Sequence, residues 1–77
     1  MMICKVTGLV TAPAHIPALD GAALVLAQIP GGGTLVAVDP LGAAVGSHVL
    51  VCQGEAAQAA LGGRCPVDAA VTGIVLE

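Results

Sequence analysis

Ala22-Ala23-Leu24-Val25-Leu26-Ala27-Gln28-Ile29-Pro30-Gly31-Gly32-Gly33-Thr34-Leu35-Val36-Ala37-Val38-Asp39 is two apolar runs separated by a cluster of turn residues. Each run has the length of a strand, and the residues between them suit a tight reversal because glycine takes positive φ without steric cost. The runs therefore predict two strands, Ala22 to Ile29 and Leu35 to Asp39, paired antiparallel. The triple glycine also invites a phosphate-cradle reading. A phosphate loop needs Gly-Lys-Ser/Thr and a following helix; Thr34-Leu35-Val36 leads into a strand instead. The turn is the better reading.

Working outward, Gly and Pro cut the rest of the chain into short apolar segments of the same kind. Ile3 to Ala12 alternates: Cys4, Val6, Gly8, Val10 and Ala12 are apolar or small, and the intervening positions are mixed, as in a strand with one buried face. Pro13 and Pro17 then make Ala12 to Gly21 a loop. Pro40 to Gly46 is a second loop of small residues, followed by a strand from Ser47 to Gln53. Glu55 to Leu61 is Ala-rich and stops at Gly62-Gly63, which predicts a two-turn helix. Val67 to Leu76 is the last strand. One of its faces carries Ala69, Val71, Gly73 and Val75, the other Ala70, Thr72, Ile74 and Leu76. Both are mostly apolar, whereas an antiparallel sheet with one wet face would show alternation; the outer face is expected to meet a neighbouring subunit. The fold expectation is all-β: one domain over residues 1–77, a small five-stranded OB-like barrel with one short helix. A simple sandwich is the alternative.

Composition points to assembly. At 77 residues the chain is one small domain, and 57% of it is hydrophobic with no Phe, Tyr or Trp. So much Val, Leu, Ile and Ala cannot all face one small core, and domains of this size often gain stability by oligomerising. Lys5 and Arg64 are the only Lys and Arg, with a net charge of −3. Nucleic-acid binding needs clustered cations and stacking aromatics, so nucleic acid is not an expected partner. Asp20, Pro30, Asp39, Pro40, Gln53 and Glu55 interrupt every stretch long enough to span a bilayer. Met1-Met2-Ile3-Cys4-Lys5 does not open a secretory signal, so the expected location is cytoplasmic. Cys4, Cys52 and Cys65 are scattered and odd in number, which suits small buried hydrophobes better than a disulfide framework.

With the segments placed, their wording resembles the EutN/CcmL family, the pentameric vertex proteins of bacterial microcompartment shells such as the carboxysome. Leu35-Val36-Ala37-Val38-Asp39, Gly42-Ala43-Ala44-Val45-Gly46 and Val49-Leu50-Val51 carry the resemblance in the middle of the chain. Pro66-Val67-Asp68-Ala69-Ala70-Val71-Thr72-Gly73-Ile74-Val75 is similar to the family's C-terminal signature, and Lys5 to Val10 and Leu24 to Gln28 to its first two strands. The resemblance implies an OB-like barrel, a head-to-tail homopentamer, and hexameric and trimeric shell proteins as partners. It implies a structural role, with no catalytic residue, cofactor or metal. There are departures: Ala44 stands in place of a common glycine, Ser47 in place of an acid, Gln58 in place of an arginine, and Leu76-Glu77 in place of a closing aspartate; the Pro30–Thr34 hairpin is short. They concern the central opening and the subunit contacts, and leave the fold expectation intact.

Each candidate site has a plain alternative. Asp39 and Asp68 flank apolar runs with no histidine, lysine or nucleophile at motif spacing, so acceptance of backbone N–H groups at strand ends is expected over acid/base chemistry. Asp39, Asp68 and Gly73 are structural signature positions by the resemblance. His15 and His48 have no i, i+4 partner or paired cysteines, and are expected to be solvated or singly hydrogen-bonded. Gly42, Ala43, Ala44, Val45 and Gly46 form the segment placed near a fivefold axis, where small residues let backbones approach; the alternative is an ordinary loop. An OB-type module for a small ligand or nucleic acid, and a metal- or thiol-dependent enzyme using Cys52, Cys65 and His48, are the competing functional readings.

Overall fold

A computed structural model describes residues 1–63 and 66–76. Among them are five strands: β1 (Met2–Val10), β2 (Leu24–Gln28), β3 (Thr34–Val38), β4 (His48–Gln53) and β5 (Ala69–Ile74). One helix, α1 (Gly54–Ala60), joins β4 to β5. The sheet closes as a barrel in the order β1-β2-β3-β5-β4. The small all-β barrel with one short helix expected from the sequence is therefore present. The sandwich alternative is not.

The β2–β3 hairpin keeps strict register from Leu24↔Val38 to Gln28↔Thr34. Its turn is closed by bonds from Ile29 N–H to Gly33 O (3.0 Å) and from Gly32 N–H to Ile29 O (3.1 Å). Gly31, Gly32 and Gly33 all sit at positive φ (87°, 119° and 89°), where a β-carbon would be strained. Closure comes from a non-local contact, β3 beside β5 in parallel at Val38↔Ala70. The loop from residue 11 to 23 contains a short 3-10 turn at Pro17–Leu19, which the proline count alone does not reveal.

The interior suits a narrow barrel. Cys4, Val6, Val25, Ala27, Ala37, Ala43, Val49, Val51, Ala69 and Val71 form the core, with Met2 and Leu35 packed against it. Valine and alanine fill the space that five strands enclose, which explains why the chain dispenses with aromatics. Helix α1 adds Ala57, fully buried. Gln58 donates from Nε2 to Val67 O, so a neutral amide ties the helix to the approach of β5.

Two β-bulges break the alternation. In β1 the register jumps between Val6↔Ala27 and Gly8↔Leu26, leaving Thr7 as the extra residue. In β5 it jumps between Val71↔Val51 and Gly73↔Leu50, leaving Thr72 extra. The two sites are built alike. Val6-Thr7-Gly8-Leu9-Val10 and Val71-Thr72-Gly73-Ile74-Val75 are near-copies, and in each the threonine hydroxyl reaches the carbonyl of the opposing leucine. The distances are 3.3 Å from Thr7 Oγ1 to Leu26 O and 3.4 Å from Thr72 Oγ1 to Leu50 O. A bulge turns the following residues to the other side. Gly73 consequently shares the outer face with Leu50, and the simple division of the last strand into Ala69, Val71, Gly73, Val75 against Ala70, Thr72, Ile74, Leu76 fails beyond Thr72.

Candidate functional site

The loop between β3 and β4 is pinned at both ends. Asp39 is 3% exposed. Its Oδ1 accepts the N–H groups of Leu41 (3.0 Å) and Gly42 (3.1 Å), and its Oδ2 accepts that of Ala43 (2.6 Å). Its own N–H bonds Ala23 O at 2.8 Å. One carboxylate thus organises the chain's exit from β3 into a turn. At the far end Gly46 N–H donates to Val6 O (2.8 Å) and Val6 N–H to Ser47 O (2.9 Å). Gly42 and Gly46 take φ of 73° and 95°, reversals that a side chain would oppose. Ala43 plugs into the core, while Ala44 and Val45 stand out at the tip, with Val45 57% exposed.

The sequence-designated residues therefore divide. Asp39 and Gly42 to Gly46 come together in one hydrogen-bonded loop. Asp68 lies at the base of β5, where its main-chain carbonyl accepts Gly54 N–H at 2.7 Å, and its side chain is exposed. Gly73 lies on the outer wall, where an added Cβ would come within 3.1 Å of Leu50 Cδ1. His48 and Cys52 are four residues apart on β4, about 13 Å along a strand. Cys52 Sγ faces Thr72 Oγ1 at 3.8 Å, and Cys65 lies outside the described residues. Among the described residues no three His, Cys, Asp or Glu side chains gather as metal ligands would, and no helix is long and apolar enough to cross a membrane.

His15 stands in the 11–23 loop with an acceptor near each ring nitrogen. Its Nδ1 lies 2.7 Å from Ala12 O and its Nε2 2.9 Å from Asp20 Oδ1. A carbonyl and a carboxylate both accept, so the two bonds form together only when both ring nitrogens carry protons. The histidine ties the two ends of the 11–23 loop to each other.

The outer surface is unusually apolar. Ile3, Leu9, Ile16, Val36, Leu41, Val45, Ile74 and Leu76 are all 45% exposed or more, Leu76 reaching 98%. Leu9 and Val10, just past the β1 bulge, border an apolar mouth of about 400 Å³ that reaches Ala43 and Gly42 in the β3–β4 loop. Large exposed apolar patches on soluble proteins are a common feature of protein contact sites. Leu9 was not among the residues singled out from sequence, although its place in the repeated Val-Thr-Gly-Leu/Ile-Val wording was a usable signal.

This architecture has known counterparts. The family model described as ethanolamine utilisation protein EutN/carboxysome matches residues 1–75. The chain belongs to the EutN/CcmL family. Among solved structures it is similar to CsoS4B from Halothiobacillus neapolitanus, at 28% identity over 100% of both chains and a TM-score of 0.92. It is similar to CcmL from Nostoc sp. PCC 7120, at 38% identity over 97% of this chain and 86% of that one, with a TM-score of 0.88. It is also similar to GrpN, a pentameric microcompartment shell protein from Rhodospirillum rubrum, at 35% identity over 100% and 95% of the two chains and a TM-score of 0.85. No curated protein matches the sequence.

Proposed function

We propose that this chain is a single vertex domain that assembles head-to-tail into a homopentamer and caps the corners of a bacterial microcompartment shell. The observation that carries the reading is the full-length likeness to GrpN, a pentameric shell protein. The exposed apolar wall supplies the physical motive, because it is surface that a single subunit leaves in water. Heterologous contacts of this type close into a ring when the rotation between neighbours completes a turn.

The function then follows from geometry. Six-sided units tile a plane, and a plane does not close; five-sided units at the corners supply the curvature. Such a cap needs shape and complementary edges and no reacting group, so we assign the chain no catalytic residue, cofactor or metal. Its partners in this reading are hexameric and trimeric shell proteins, with neither nucleic acid nor membrane involved. We assign Gly42, Ala43, Ala44, Val45 and Gly46 to the fivefold axis, with Ala44 and Val45 as the side chains nearest to it. Asp39 would set that loop, while Asp68 and Gly73 would shape the helix junction and outer wall. The test is co-expression with a hexameric shell protein, followed by electron microscopy. Closed polyhedral particles are expected with this chain, and open sheets or tubes without it. Open sheets in both cases would defeat the reading.

A further inference from the structure

Little main chain holds the 11–23 loop. Among the described residues its internal backbone bonds run from Leu19 N–H to Ile16 O, Asp20 N–H to Pro17 O and Ala22 N–H to Leu19 O, each 3.0 Å. All three lie within residues 16–22, and Pro13 and Pro17 have no N–H to donate. Residues 13–18 are exposed. A segment with so few buried contacts and internal bonds belongs to the part of a fold that opens first.

One side chain spans the loop. His15 lies between Ala12 O, 2.7 Å from Nδ1, and Asp20 Oδ1, 2.9 Å from Nε2, and so joins the loop's entry to its exit. An imidazolium donates at both nitrogens, whereas a neutral ring keeps one N–H and one lone pair. Loss of the proton therefore turns one of the two bonds into a contact between two acceptors. The cavity of about 50 Å³ beside the ring is lined by Val10, Ala12, Leu19, Ala22 and Leu24, none of which titrates. Asp39, which lies beyond Ala23, turns its carboxylate into its own loop. Among the described residues, Asp20 is thus the charged group paired with the ring. Val10, Ala22 and Leu24 also border the apolar mouth of about 400 Å³, so the footing of the loop is the rim of that mouth.

We propose that His15 is a proton-operated clasp. Protonated, it closes the 11–23 loop between Ala12 and Asp20; neutral, it releases one end and loosens the rim of the mouth. Closure takes up a proton, so acid favours the closed loop and rising pH favours the open one. The device works across about pH 5 to 8, where imidazole chemistry is adjustable.

The test is nuclear magnetic resonance of the full chain and of two variants, His15→Ala and Asp20→Asn, between about pH 5.5 and about pH 8.5. Both positions are exposed, so neither change disturbs the barrel core. In the parent, both ring nitrogens of His15 should carry protons at the acid end. Ring contacts to Ala12 and Asp20 should fade as pH rises, and the Ile16 amide and Leu24 methyl signals should follow the same curve. The closed-to-open ratio should fall about threefold, a modest factor because the Asp20 side chain is 73% exposed and solvent screens the pair. His15→Ala should leave the loop open at both ends of the range. Asp20→Asn should hold it closed at both, because the new amide can donate to the bare nitrogen of a neutral ring. Parent loop and Leu24 signals that do not move with the His15 ring would overturn the clasp, as would an Asp20→Asn loop that opens in step with the parent.

Discussion

Replacing Asp39 by Ala removes the acceptor for three main-chain N–H groups at once, those of Leu41, Gly42 and Ala43. The Ala43 bond is buried, and an N–H stranded there costs about 1–3 kcal/mol. The other two are partly buried and can turn to water, so each loses about 0.5 kcal/mol. The expected total is about 2–4 kcal/mol. A domain of this length holds about 4–12 kcal/mol in all, so the variant should be visibly fragile. Asp39→Asn keeps one carbonyl oxygen but turns an amide donor toward a donor; it should fall between the parent and the alanine variant. Urea unfolding followed by circular dichroism at fixed protein concentration measures this, since association itself adds to apparent stability. A lowered midpoint at unchanged slope is expected. Hydrogen exchange at the Ala43 amide should quicken in the same variant. An alanine variant within about 0.5 kcal/mol of the parent, the range of an ordinary surface change, would refute the claim that this carboxylate organises the loop.

Other outcomes follow from single contacts. Gly73→Ala brings Cβ to 3.1 Å from Leu50 Cδ1, whereas Gly8→Ala at the twin bulge meets Leu26 Cβ at 4.0 Å. Moving Leu50 off its rotamer costs about 0.5–1.5 kcal/mol, so the first variant should melt lower than the second; equal melting temperatures would show that the twin sites do not differ. Burial pushes the Cys4 thiol up from its ordinary range, so thiol reagents should modify it slowly in the folded chain at pH 8 and promptly in urea. By the same linkage, its contribution to stability is intact below the ordinary thiol range and is lost as pH rises through the elevated value; a pH-independent unfolding midpoint above pH 9 would contradict this. Val45→Glu places five carboxylates around the proposed axis, which should weaken the ring at low salt and restore it at high salt. No effect on assembly would move the loop away from the axis.

How much of this was legible from residue order depends on range. The β2–β3 hairpin was readable because its signals are local: two apolar runs with three glycines between them. The end of α1 at Gly62-Gly63 was readable for the same reason. The bulges were not, because an extra residue at Thr7 or Thr72 shows only against the opposing strand, although the repeated Val-Thr-Gly wording at 6–10 and 71–75 was there to be noticed. Closure through Val38↔Ala70 joins segments far apart in sequence and has no local mark. In the β3–β4 loop the run of small residues was plain. That Ala43 turns inward while Val45 turns out is decided by the Asp39 bonds, which composition does not encode. The acceptor pair around His15 was not readable either: Asp20 is brought near Ala12 by the turn at Pro17–Leu19.

The central claim is that identical copies of this chain cover one another's apolar walls around a fivefold axis. Native mass spectrometry of the purified protein tests it most directly. Five chains of 7.4 kDa should appear as one dominant species of about 37 kDa (5 × 7.4), with the single chain minor at micromolar concentration. A stable, folded 7.4 kDa species alone, or a ring of any other number, would contradict the account.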